Sequence, residues 1–113
     1  KTKRNYIIVE KDGVKVDKLK KRGFMTIKGD VADSDTSDLV EAGIKSAKAI
    51  ILAMPETEKN LLVTMTAKEL NPEIEVYARA DNPAFVDKLK KAGAKVVIVP
   101  EVAAAEKFLE SID

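Results

Sequence analysis

The side chains able to do chemistry in this chain are carboxylates, lysines and arginines, because its 113 residues include neither histidine nor cysteine. That removes Ser-His-Asp hydrolysis, two-histidine and thiolate metal sites, cysteine nucleophiles, disulfides and any histidine pH switch. The remaining candidates cluster just after five short apolar runs. Glu10 and Asp12 follow the first run; Gly29, Asp30 and Val31 the second; Met54, Pro55 and Thr57 the third; Arg79 and Asp81 the fourth; Pro100 and Glu101 the fifth. An acidic side chain at the tip of a strand can accept hydrogen bonds from both ribose hydroxyls and repels a 2′-phosphate, which favours adenosine or NAD over NADP. Glu10 stands in that place, although a solvated carboxylate would stand there too. Asp30 can reach an adenine amino group or simply close its strand. Arg79, between Ala78 and Ala80, offers a planar fork to a phosphate, with a salt bridge to Asp81 or Glu101 as the competing account. Glu10, Asp30, Asp81 and Glu101 are oxygen ligands suited to a divalent cation, yet no two share a loop with ligand spacing, so no metal site is expected. Phosphate capture usually needs a glycine-rich turn opening onto a helix. The five glycines, at 13, 23, 29, 43 and 93, never form Gly-x-Gly.

The elements that must position these residues follow from hydrophobic period. The runs at 6–9, 24–27, 49–53, 74–78 and 96–99 are rich in isoleucine and valine and continuous rather than alternating, as strands covered on both faces are. Between them lie helical patterns. Val16 and Leu19 mark one; Leu61, Leu62, Met65 and Leu70 a second; Phe85, Val86 and Leu89 a third. Strand alternating with helix predicts a parallel α/β sheet, whose ligands bind outside the carboxyl ends of the strands. Asn82 before Pro83 predicts a capped helix start, and Gly23 and Gly93 predict left-handed helix ends. Those glycines close a near repeat, Val16-Asp17-Lys18-Leu19-Lys20-Lys21-Arg22-Gly23 and Val86-Asp87-Lys88-Leu89-Lys90-Lys91-Ala92-Gly93. The final stretch, 101–112, predicts a helix with Val102, Ala105, Phe108, Leu109 and Ile112 as its apolar stripe. A chain of this size is one domain. A net charge of +1 gives no basis for nucleic-acid binding, and no apolar run is long enough for membrane insertion, so a soluble, cytoplasmic domain is expected.

From Glu10 onward the residues resemble the N-lobe of an RCK domain, the regulator of potassium conductance also called TrkA-N or KTN. The resemblance rests on Tyr6-Ile7-Ile8-Val9-Glu10-Lys11-Asp12, Gly29-Asp30, Glu41-Ala42-Gly43-Ile44, Ala47-Lys48-Ala49-Ile50-Ile51, Thr57 with Asn60-Leu61, Ala78-Arg79-Ala80, Ala92-Gly93-Ala94 and Val99-Pro100-Glu101. Their order and spacing cover about residues 5–110. The resemblance implies a Rossmann-like sheet and domains that pair as homodimers or higher homo-oligomers. It also implies gating of a potassium channel or transporter membrane subunit by ATP, ADP, NAD(H) or a divalent ion. Carried over by position, Glu10 would hold the ribose, Asp30 and Val31 would border the adenine, and Arg79 would approach the phosphates. Glu101 resembles a carboxylate that some members give to a divalent cation. Ala53 and Arg79 stand where calcium-gated members carry acids.

The family opens with a strand, a Gly-x-Gly-x-x-Gly turn and a helix, and Lys1–Arg4 match the end of that helix. Residues 1–113 are therefore expected to be a single truncated RCK N-lobe. Deleting the first strand from the Rossmann order 3-2-1-4-5-6 leaves, renumbered, the flavodoxin-like order 2-1-3-4-5. The expected fold is thus a three-layer α/β sandwich around a Rossmann-like parallel sheet of five strands in that rearranged order. The last helix is expected to fold back over one face; a fragment with a gap in its sheet is the alternative. The expected function is regulatory ligand binding for a potassium channel or transporter, with affinity for adenine nucleotide (ATP/ADP) or NAD weakened by the missing phosphate loop. No enzyme is expected, since no proton relay is visible. A phospho-accepting receiver is disfavoured by Ala53 and Val99-Pro100 at its key positions. The remaining alternative is a truncated or engineered domain that only dimerises or acts as a scaffold.

Overall fold

The computed structural model describes residues 5–29 and 36–112. Each apolar run forms a strand: β1 (Tyr6–Glu10), β2 (Met25–Lys28), β3 (Ala49–Leu52), β4 (Glu75–Arg79) and β5 (Ala94–Ile98). All pairings are parallel and the order is β2-β1-β3-β4-β5, as the strand deletion predicts. No gap remains in the sheet. Tyr6, Ile7, Ile8 and Val9 pair in register with Ala49, Ile50, Ile51 and Leu52.

Side chains alternate between the two faces along a strand. One face carries Ile7, Val9, Ile50, Leu52, Val76 and Ala78, all buried in the main core. The helices α2 (Ser37–Glu41), α3 (Thr57–Leu70) and α4 (Val86–Ala92) contribute Leu39, Val63, Ala67 and Leu89 to that cluster. On the other face Ile8 and Thr26 are buried along with Val16 of α1 (Gly13–Lys21). Local signals behave as the sequence predicts at most element ends. The Asn82 side chain accepts from the Ala84 N–H with Pro83 beside it, and Gly93 ends α4 at φ 118°. Gly29 has a different requirement, since a Cβ there would lie 2.8 Å from Val9 Cγ1 and 2.9 Å from Met54 Sδ.

Three expectations are corrected. The stripe of Leu61, Leu62, Met65 and Leu70 on α3 holds only in part: Leu61 and Leu70 pack against the core, but Leu62 and Met65 are exposed, while Asn60, Val63, Thr64 and Ala67 point inward. Inside, Asn60 Nδ2 donates to Met54 O and Arg79 O and the Thr64 hydroxyl donates to Asn60 O, while Asn60 Oδ1 is buried without a partner among the described residues. Strands expected to be covered on both faces are covered on one only over β3, β4 and β5, where Ile51 is 37% and Ile98 46% exposed. The helix expected to cover them, α5 (Pro100–Ile112), has no buried residue, with Phe108 73% and Ile112 76% exposed. A single residue, Val99, separates β5 from α5, and Ala103 N–H already bonds back to Val99 O at 2.9 Å. Reversing onto the sheet normally takes a loop of about 2–6 residues.

Candidate ligand site at the strand carboxyl ends

The chain leaves β1 through α1 towards β2 on one side of the sheet, and leaves β3 through α3 towards β4 on the other. The carboxyl ends of β1 and β3 therefore flank the topological switch point, where open α/β sheets form a ligand crevice. A depression of about 340 Å³ lies there, lined by Glu10, Lys11, Asp12, Lys15, Pro55 and Arg79. Two of the sequence-derived site residues, Glu10 and Arg79, are thereby brought together.

Glu10 ends β1 with its side chain on the α1 face and is buried. Its Oε2 accepts from the Asp12 N–H at 3.1 Å, and Asp12 Oδ1 in turn accepts from Val14 N–H at 3.0 Å, capping α1. Lys11 donates to Glu56, and this bond holds the Glu56 carboxyl below its ordinary range. Arg79 is committed. Its Nε and Nη2 donate to Asp81 Oδ1 and Oδ2 at 2.6 and 2.8 Å, and its Nη1 to Ala53 O at 3.2 Å. The paired geometry raises the guanidinium pKa further and lowers that of the Asp81 carboxyl. Of the two sequence accounts of Arg79, the structure holds the salt bridge to Asp81.

Asp30 and Val31 lie outside the described residues. Their neighbour Gly29 donates its N–H to Glu10 O at 2.8 Å, so the exit of β2 runs beside Glu10. Glu101 is elsewhere, beside Asp81, Val99 and Pro100 in a separate depression. Among the described residues no three carboxylates gather as a cation site.

Sequence reasoning missed Lys15, and named Thr57 and Asn60 without giving either a role. Lys15 lines the depression one turn into α1, a cation that the lysine-rich helix concealed among its neighbours. Asn60 Nδ2 donates to Met54 O at 2.8 Å and Arg79 O at 2.7 Å, tying together the exits of β3 and β4. Thr57 Oγ1 accepts from Asn82 N–H at 3.1 Å, joining the start of α3 to the loop after β4. The signal for the last two was a polar residue at an inward helical position.

A parallel sheet ordered 2-1-3-4-5 with a polar crevice at its switch point defines a Rossmann-like α/β domain. The TrkA-N domain family matches residues 1–100, and the chain belongs to that family. It is 40% identical over 103 residues to an uncharacterized protein of Methanothermus fervidus, covering 89% of this chain and 16% of that protein. With a probable potassium channel protein 2 of Methanocaldococcus jannaschii it shares 37% identity over 87 residues, covering 77% of this chain and 25% of that one. The chain thus spans between a sixth and a quarter of the length of these relatives. The crystal structure of the TrkA-N domain of inner membrane protein ybaL from Escherichia coli is 28% identical with a TM-score of 0.73, over 95% of this chain and 78% of that one. The GsuK channel bound to NAD is 24% identical with a TM-score of 0.61, over 82% of this chain and 20% of that one. GsuK bound to ADP is 23% identical with a TM-score of 0.62, over 85% of this chain and 30% of that one. At these identities the likeness to GsuK is one of fold.

Proposed function

We propose that this chain is a regulatory ligand-binding domain of a potassium channel or transporter, working on the cytoplasmic side and taking an adenine nucleotide or NAD at the β1/β3 crevice. The observation that carries the reading is the switch-point depression with buried Glu10 at its wall. Membership of the TrkA-N family supports it, as do the potassium-channel relative and the fold shared with nucleotide-bound GsuK. No helix among the described residues is long and apolar enough to cross a membrane.

The lining favours the nucleoside end of such a ligand over its phosphates. Glu10 and Asp12 are acceptors suited to ribose hydroxyls and repel phosphate oxygens. Of the three cations, Lys11 is engaged by Glu56 and Arg79 by Asp81. With no Gly-x-Gly turn in the sequence, Lys15 and the start of α1 are left to meet the phosphates. Calorimetric titration with AMP, ADP, ATP and NAD tests this. Similar dissociation constants for AMP and ATP, each weakened at least tenfold by Glu10→Ala, are the expected outcome. Tight binding that needs the triphosphate would contradict the weak phosphate grip. Absence of binding by all four would leave the domain as a dimerisation scaffold.

A further inference from the structure

The strands of this sheet line up at their amino ends. Tyr6 pairs with Ala49 and Ala49 with Glu75, while Lys48 N–H donates to Asn5 O at 2.8 Å and Glu75 N–H to Lys48 O at 2.9 Å. α1, α3 and α4 each run back from the carboxyl end of one strand to the amino end of the next, so their last turns gather along that same edge. Lys20 and Lys21 close α1, and Lys90 and Lys91 close α4, the matching ends of the near repeat. Lys45 and Lys48 stand between them, just before β3. All six are exposed. The carboxylates at this end are Glu41, Glu69, Glu73 and Glu75, and the last is paired with Lys95 at 3.3 Å.

Acids collect at the opposite end. Glu58 and Asp87 lie in the first turns of α3 and α4, on the side of the strand exits that carry Glu10, Asp12 and Asp81. A chain whose net charge is only +1 is therefore polarised, lysine at one end and carboxylate at the other. Helix dipoles account for lysines in last turns. They do not account for Lys48, which lies outside every helix.

We propose that the lysine-rich end docks on an anionic lipid surface, leaving the β1/β3 crevice at the far end open to its ligand. The choice of surface rests on the reading of the chain as a domain of a membrane transport protein, which puts a lipid leaflet within reach. Extent argues for a surface over a small anion. α1 packs on β2 and α4 on β5, the two edge strands, from opposite faces of the sheet. Five strands about 4.8 Å apart span roughly 19 Å, so the two lysine pairs stand at opposite corners with Lys45 and Lys48 between. One phosphate cannot reach both corners, whereas a leaflet presents anionic headgroups across the whole area. Lysine also suits a laterally mobile surface, being a point charge on a flexible stem rather than a fork that needs fixed bidentate geometry.

The experiment uses the full chain without nucleotide. Sedimentation with phosphatidylcholine vesicles holding about one-third phosphatidylserine is expected to carry the chain down at about 0.1 M potassium chloride and to fail at about 0.5 M. Vesicles of phosphatidylcholine alone are expected to leave it in solution. Lys20→Glu with Lys21→Glu, and Lys90→Glu with Lys91→Glu, are each expected to weaken the partition at least tenfold with far-UV dichroism unchanged. The corresponding glutamine pairs, which remove charge without reversing it, are expected to weaken it by a smaller factor and keep the test open if a glutamate pair does not fold. Lys28→Glu, at the carboxyl end of β2, is expected to change it less than about twofold. Equal sedimentation with both vesicle types overturns the inference, as does a partition that neither double variant weakens. Tighter binding to polyuridylic acid than to the anionic vesicles would assign this end to nucleic acid and overturns it too. ADP titration of the double variants is expected to match that of the unsubstituted chain, so failure of lipid docking and failure of the nucleotide reading are told apart.

Discussion

At the residue scale, a phosphate of the proposed ligand would have to compete with Asp81 for Arg79. An ion pair as exposed as Arg79 with Asp81 contributes little to stability, so freeing Arg79 for the phosphate of the proposed ligand would cost little. Asp81→Asn is expected to tighten ADP about 1.5–5-fold and to leave adenosine binding unchanged, as read by titration of the two. Three paired carboxylates give the fold an acid-sensitive contribution. Asp81, Glu56 and Glu75 have folded pKa values below their ordinary 3.8, 4.5 and 4.5, the first through Arg79, the second through Lys11, the third through the Tyr77 hydroxyl. A depressed folded pKa adds stability that is present above the unfolded value and lost as pH falls through the folded one. The melting temperature is therefore expected to hold down to about pH 5 and to drop below about pH 4. Tyr77 is raised above 10.0 by its bond to Glu75, so its contribution is present below 10.0 and is lost as pH rises through the folded value. Thermal melts across both ranges check the two signs.

At the element scale, buried asparagines tie the two ends of α3 to neighbouring backbone, Asn60 to the exits of β3 and β4 and Asn71 to the segment before β3. Asn71 Nδ2 donates to Ile44 O and Ala47 O, both at 2.9 Å, while its Oδ1 accepts from Glu73 N–H at 3.1 Å. Asn71→Ala leaves two buried carbonyls without that donor and is expected to cost about 2–3 kcal/mol in chemical denaturation. Asn60→Ala is expected to cost a similar amount and also to weaken nucleotide binding, since it releases the loop carbonyls of Met54 and Arg79. The near repeat of α1 and α4 has a plainer cause. Gly23 and Gly93 sit at φ 91° and 118°, the left-handed region that favours glycine. Lysines in the last turn of each helix complement the dipole.

At the scale of the whole molecule, the sheet closes without a strand between β1 and β3, and its stability is distributed unevenly. β1 and β3 are central and paired on both sides, whereas α5 stands clear of the core. Amide exchange is expected to be slowest in β1 and β3. In α5, which has no buried residue, it is expected to be fast.

The strand positions, the parallel α/β class and the place of Glu10 were legible in the sequence, because hydrophobic period, helix caps and strand tips are set by neighbours close along the chain. The strand order followed from the family resemblance applied to residues 1–113. Contacts between distant segments were not legible. That α3 buries Asn60 and Thr64 instead of Leu62 and Met65 depends on the carbonyls of Met54 and Arg79 waiting opposite. That Arg79 is held by Asp81 and Ala53 depends on where β3 ends beside it. The stripe of α5 was visible in the sequence, but its being left uncovered was not. A stripe records only that a helix has an apolar side; whether the chain can bring that side to its own core is decided by the length and direction of the connection, here the one residue Val99.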